Sequence, residues 1–266
     1  MSPWVTVGPL ALPAYYLWIT LGFCAATLAL RREFRRSAVP VTVLYDLALP
    51  ILPVGWLGAR LFLLLEDPTT FLTRPWLLLH PGAGWVFHGG FLSVIGVLWL
   101  QCRRRGLSLA EVGDAFAPVL PLGVAIGRLG CLFAGCCHGR PADWPLGFAV
   151  PWSVTYLIEG VVPPSLLGVA LHPAPLYDVA LGLGLHAWLS RLHGQRAADG
   201  SRPPHGTVGA SLLWGYGLGR FLTEFARGDL ERTFHAGFSV AQWVGLAMAA
   251  VGGAWRWRLS TSPGAR

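Results

Sequence analysis

Pro13–Arg36 reads PAYYLWITLGFCAATLALRREFRR. From Pro13 to Leu30 no residue is charged, and Arg31, Arg32, Arg35 and Arg36 follow at once. A helix over such a run rises about 27 Å at 1.5 Å per residue, close to the ~30 Å hydrocarbon core of a bilayer. Arginine is retained on the cytoplasmic side of a membrane, so the N-terminus is expected outside. Nothing basic precedes the run, and no cleavable leader is expected.

The rest of the chain repeats this alternation. Of 266 residues 54% are hydrophobic and only 12% charged, about half the charged share of a soluble domain. All twenty basic residues are arginine, and the net charge is +7. Because the arginines cluster between apolar runs, topology accounts for most of them, and nucleic acid is not expected as a partner. The reading is an all-α polytopic membrane protein, a single integral domain over residues 1–266 with about seven transmembrane helices. A second helix runs from about Val41 to Leu65, interrupted by Pro50 and Pro53, with Glu66 and Asp67 marking the outer surface. A third begins near Trp85 and ends at Arg103-Arg104-Arg105. A fourth covers about Asp114 to Ala134, with kinks expected at Pro118 and Pro121. The fifth, sixth and seventh cover about Pro175–Leu189, Gly206–Phe225 and Phe238–Ala254. Residues 138–173 form an outer segment between helices 4 and 5, where Ser153 to Val162 read equally as strand or surface helix. This arrangement puts thirteen of the twenty arginines, and the C-terminus, in the cytoplasm.

Of the seven remaining arginines, Arg60, Arg128, Arg140, Arg220 and Arg227 fall within helices or at their outer ends. An ionisable residue at membrane depth is costly and usually pairs or faces a polar cavity, although an arginine near a helix end can simply snorkel to the headgroups. Arg128 lies between Gly127 and Gly130, which permit close approach. Arg220 precedes Glu224 by one helical turn, where the two can pair. A planar guanidinium grips phosphate at two points, so these arginines suit a phospholipid headgroup. His88 stands at the outer end of a helix beside Gly89 and Gly90, which leave room for a ligand, and histidine can act as a base near neutral pH.

Gly127–Arg140, GRLGCLFAGCCHGR, holds Cys131, Cys136 and Cys137, three of the five cysteines. Small residues packing a helix end and a redox or nucleophilic thiol site are both open readings. The spacing C-x4-C-C-H is not a common zinc pattern, and no metal is assigned.

With these residues in hand, the chain resembles the prolipoprotein diacylglyceryl transferase family along nearly its whole length. VGPLALPAYYLW is similar to the family's opening, with Tyr15 on its tyrosine. GARL at Gly58–Leu61 and FHGG at Phe87–Gly90 match further motifs, and His88 takes the position of the family's essential histidine. GRLG at Gly127–Gly130 begins the family signature, which Gly135, Gly139 and Arg140 continue. HPAPLYD at His172–Asp178 and GYGLGRFLTEFARGD at Gly215–Asp229 match later motifs, and Gln242 fits as well. Inside the signature the chain departs at three places: Cys131 and Ala134 stand where the family usually has asparagine, and Cys136 where it has glutamate.

The resemblance implies an enzyme of the bacterial plasma (inner) membrane, multi-pass, that needs no cofactor. It moves the diacylglyceryl group of phosphatidylglycerol onto the lipobox cysteine thiol of a prolipoprotein signal peptide, releasing glycerol phosphate. In that scheme His88, Arg128, Arg220 and Glu224 are catalytic. Tyr15, Arg60, Gly89, Gly90, Arg140 and Tyr216 bind substrate. The three departures motivate two alternatives: a diverged paralogue acting on another lipid or acceptor, and a membrane thiol–disulfide oxidoreductase using Cys131, Cys136 and Cys137.

Overall fold

The structure is a computed structural model that describes residues 4–8, 10–37, 39–62, 64, 68–78, 87–142, 154–156, 162–195, 200, 202–228 and 234–261. Glu66, Asp67 and most of the Ser153–Val162 stretch lie outside the described residues.

The chain opens with a hairpin that composition did not announce: β1 (Trp4–Val7) pairs antiparallel with β2 (Leu10–Pro13). The turn needs Gly8 at φ 61, a left-handed conformation that glycine adopts without strain. Helix α1 (Ala14–Arg36) then carries the opening apolar run and extends through its arginines. The interrupted second helix is two, α2 (Val41–Ala48) and α3 (Ile51–Leu61), because Pro50 cannot donate to the ladder. After α4 (Pro68–Thr73) comes α5 (Phe87–Arg104). The expected kink at Pro118 is a break between α6 (Leu109–Phe116) and α7 (Val119–Ala134), and helix begins at Leu109, before Asp114. The later helices are α8 (Ala174–Gly194), α9 (Thr207–Thr223) and α10 (Val240–Thr261). Two further two-residue pairs are β3 (Val154–Thr155) with β4 (Ala170–Leu171), and β5 (Phe234–His235) with β6 (Phe238–Ser239). The described part of the ambiguous outer stretch is therefore strand at residues 154–155.

Among the described residues, Ala14–Arg36, Val41–Leu61 and Leu109–Ala134 are long and apolar enough to cross a membrane. Side-chain placement agrees with an apolar solvent. Leu28, Leu52, Leu92, Leu120, Leu222, Val251 and Trp257 are exposed, while Glu33, Arg60, Asp114, Asp178, Glu224 and Gln242 are buried. A water-soluble fold reverses that preference, and ionisable groups turned inward are the membrane pattern.

The chain divides into two compact units, residues 1–36 with 113–266 and residues 37–112. In the first, α1 packs on α7, α7 on α8, α8 on α9, and α9 on α10. Buried carboxylates tie these helices together. Glu33 of α1 accepts from His193 Nδ1 at 2.8 Å and Ser190 Oγ at 3.2 Å, both on α8, and pairs with Arg36 at 3.2 Å. Asp114 of α6 accepts the backbone N–H groups of Gly206 and Gly209 at 2.7 and 2.8 Å, capping α9 from a neighbouring helix. The first N–H groups of a helix have no partner within it and favour an anion. Asp114→Ala is expected to cost about 1–2 kcal/mol, read as a lower midpoint in thermal unfolding of the detergent-solubilised protein; an unchanged midpoint would show that the cap contributes nothing.

In the second unit α3 packs on α5. A Cβ on Gly89 would lie 2.6 Å from the Gly58 carbonyl oxygen, and one on Gly90 would lie 2.7 Å from that of Gly55. The space expected to admit a ligand beside these glycines is filled by α3, and close helix approach accounts for the pair.

Candidate functional site

The polar groups of the first unit converge where α7 ends. Arg128 and Cys131 are three apart on α7 and share a face. Gly135, at φ 71, stops the helix in the left-handed conformation usual for a helix C-terminus. The chain then reverses through Cys136 and Cys137, with Cys137 itself at φ 58. The reversal carries both cysteines back to Cys131, and the three sulfurs all lie within 4.8 Å of one another. Sequence spacing alone argued against a shared metal; in three dimensions these sulfurs can serve as common ligands. Cys131 is buried, Cys137 half-buried and Cys136 exposed. The Cys136 thiol donates to the Cys131 carbonyl at 3.8 Å.

Arg128 is anchored from α8, its Nε 3.2 Å from Asp178 Oδ2. Its Nη1 donates to Cys137 Sγ at 3.4 Å and reaches Cys131 Sγ at 4.0 Å. Asp178, the acid that closes the HPAPLYD motif, is a site residue to which the sequence reading gave no role. Its signal was present, since an acid in the first turns of an apolar helix needs a cationic partner.

A minimal ladder continues the site. Residues 138–142 run between two other segments. On one side the Arg140 N–H donates to the Ala226 carbonyl and the Gly228 N–H to the His138 carbonyl, each at 3.0 Å. On the other, the His172 N–H donates to the Arg140 carbonyl at 2.9 Å and the Ala142 N–H to the Ala170 carbonyl at 2.8 Å. Gly139 is required here, because a Cβ would lie 2.8 Å from the His172 carbonyl carbon. The ladder sets the cysteine turn beside Arg227, whose carbonyl accepts from Arg140 Nε at 3.1 Å.

Arg220 and Glu224 pair across one turn as expected, Nη2 to Oε2 at 2.6 Å. Glu224 also lies 3.8 Å from Arg227 Nε and accepts from Ser239 Oγ at 3.0 Å. Gln242 steadies that serine: its Oε1 accepts the Ser239 N–H at 2.9 Å, and its own N–H donates to Ser239 Oγ at 3.2 Å. Cys137 joins the two halves. Hydrogen bonds from the other two thiols, then the charges of Arg227 and Arg128, hold its thiol well below the ordinary thiol range. Burial pushes the Tyr156 hydroxyl up to about 12, and that hydroxyl donates to the Leu132 carbonyl at 2.8 Å. Tyr15 lies within electrostatic reach of Arg128 and the three thiols, and Tyr216 within reach of Arg128. This cluster sets three guanidinium groups, Arg128, Arg220 and Arg227, against two carboxylates, Asp178 and Glu224. Together with the Cys137 thiol these acids balance the three arginines, and the guanidinium N–H groups are the donors that suit a phosphate.

The remaining candidates belong to the second unit. Arg60 is fully buried, with its guanidinium 5.7 Å from the centre of the Trp56 ring; burial of this kind is not snorkelling. His88 is in the first turn of α5, and its side chain lies outside the described residues. A cavity of about 410 Å³ lined by Leu28, Arg31, Arg32, Arg35 and Arg36 sits at the C-terminal end of α1, and none of the candidate residues lines it.

The family model for prolipoprotein diacylglyceryl transferase matches residues 3–258. Phosphatidylglycerol–prolipoprotein diacylglyceryl transferase of Bordetella parapertussis is 34% identical over 254 residues, covering 92% of this chain and 90% of the relative. That of Aromatoleum aromaticum is 34% identical over 261 residues, covering 93% and 90%. That of Neisseria meningitidis is 31% identical over 278 residues, covering 93% and 92%.

Proposed function

We propose, for a chain that belongs to the prolipoprotein diacylglyceryl transferase family, the transfer of a diacylglyceryl group from phosphatidylglycerol to the lipobox cysteine of a prolipoprotein. The protein is a transferase of lipoprotein biogenesis. The observation that carries the reading is the set of guanidinium donors Arg128, Arg220 and Arg227, held by buried Asp178 and Glu224 beside one thiol turn. Fixed donors aimed at a developing negative charge stabilise a transition state without reorganising.

In this reaction the acceptor thiol gives up its proton and its sulfur attacks the glycerol carbon. A carbon–sulfur bond forms as the carbon–oxygen bond to phosphate breaks, and glycerol phosphate leaves with the electron pair. Arg128 and Arg220 hold the headgroup and take the charge of the departing phosphate. Glu224 and Asp178 orient them, and His88 takes the thiol proton. Tyr15, Tyr216 and Arg140 line the lipid and headgroup path. The chain acts as one integral domain of about seven spans in the bacterial inner membrane, with the N-terminus and the site outside and the C-terminus in the cytoplasm. The exposed apolar faces and the arginine-terminated helices support this topology.

The test is complementation of a bacterial strain depleted of its own transferase. Restored growth, with the thioether found on a lipoprotein by mass spectrometry, is the expected outcome. A well-expressed, membrane-inserted chain that restores neither would remove the proposed acceptor and lipid.

A further inference from the structure

Cys131, Cys136 and Cys137 are the features that the transferase reading leaves unused. Packing alone does not account for them. Cys137 holds φ 58, a conformation that costs an L residue energy and that glycine would adopt freely. The exposed Cys136 fills no core. A disulfide would engage two of the three sulfurs, leave the third without a role, and require an oxidant.

The geometry suits a metal. All three sulfurs lie within 4.8 Å of one another. Zinc–sulfur bonds of about 2.3 Å need sulfurs roughly 3.8 Å apart, a contraction reached by moving each at most about 0.6 Å toward a common centre. Arg128 beside two of the sulfurs offsets the charge of thiolates. Zinc sites with three protein ligands keep a fourth position for water or substrate, and the exposed side of this triad is that of Cys136.

We propose that Cys131, Cys136 and Cys137 bind one zinc ion whose fourth position takes the acceptor thiol. This inference rests on the transferase reading for its acceptor. A thiol that coordinates zinc is deprotonated outright, and the thiolate is the nucleophilic form. The metal then takes over the activation otherwise given to His88: the displaced proton passes to solvent or to the departing phosphate, the metal-bound sulfur supplies the electron pair for the carbon–sulfur bond, and zinc remains divalent throughout. Arg128 touches the triad, so the phosphate it holds stands next to the bound acceptor.

The experiment uses the full chain in detergent with zinc, cobalt, phosphatidylglycerol vesicles and a synthetic lipobox peptide. Elemental analysis is expected to find one zinc per chain. The variant Cys131→Ser/Cys136→Ser/Cys137→Ser should hold none, while Cys24→Ser holds the wild-type amount. Cobalt should give a thiolate charge-transfer band that gains intensity when the peptide is added and not when its cysteine is replaced by serine. Chelation should slow transfer roughly a hundredfold, the scale on which one electrostatic catalyst acts, and zinc should restore it. Zinc no higher in the wild type than in the triple variant would overturn the site. A cobalt band indifferent to the peptide would overturn the acceptor's place on the metal. Transfer that proceeds at full rate without zinc would defeat the inference while the transferase reading stands. Zinc and a peptide-sensitive band without transfer would support the metal site and defeat the transferase reading.

Discussion

Arg128→Ala is expected to slow diacylglyceryl transfer by roughly 10²–10³-fold, the loss seen when one preorganised donor to a developing anion is removed. The argument starts from position. Arg128 is held at Nε by Asp178, which leaves the Nη1 edge turned toward the cysteine turn. A guanidinium anchored on one edge presents the other in a fixed plane, and a planar fork is what binds two phosphate oxygens at once. Arg128→Lys separates charge from shape. It keeps the cation beside Asp178 but loses the fork, so most of the rate loss should persist while the protein remains folded. Asp178→Asn should give a smaller fall dominated by KM, since the arginine keeps its charge and loses its orientation. Steady-state rates with phosphatidylglycerol vesicles and a lipobox peptide decide the matter. An Arg128→Ala enzyme within a few-fold of wild type would take Arg128 out of the reaction.

The helices were legible because their causes are local. The opening run of α1, the arginines that close α1 and α5, and Pro50 and Pro118 at the breaks can each be read from adjacent residues. What failed to show was whatever depends on remote pairing. The strand at Val154–Thr155 exists because Ala170–Leu171 lies beside it, whereas the β1–β2 hairpin is local and was missed because its strands have only four residues each. The sequence reading begins α6 at Asp114, five residues late. The Asp114 carboxylate caps another helix, ninety-two residues away at Gly206.

The site divides in the same way. Arg220 and Glu224 pair within one helix turn, so the sequence shows both partners. Arg128 and Asp178 lie on different helices, and the HPAPLYD motif and the acid's place in an apolar helix marked Asp178 without naming its partner. The glycines beside His88 suggested an opening for a ligand, but helix α3 occupies it. The thiol triad was hidden for a related reason. A spacing rule assumes the turn that common zinc motifs use, whereas here a left-handed Gly135 and a left-handed Cys137 make a different one.

Glu224→Ala is expected to be the most destabilising single change in the site, at about 3–5 kcal/mol. Glu224 is nearly fully buried, and the side chains of Arg220 and Arg227 are only 14% and 11% exposed. Removing the shared acid leaves like charges in a medium that solvates them poorly, a penalty larger than the net gain from forming the pair. For a chain of this size that corresponds to a fall in the unfolding midpoint on the order of 10 °C. Glu224→Gln should lose less, because an amide oxygen still accepts from Ser239. The double variant Glu224→Ala/Arg220→Met distinguishes stability from function. Replacing a buried ion pair by an apolar side chain is often neutral, so part of the lost midpoint should return. Activity should not return, because the guanidinium proposed to take the phosphate's charge is absent. If the double variant recovered transfer together with stability, Arg220 would be a structural partner of Glu224 and the phosphate's charge would rest on Arg128 and Arg227.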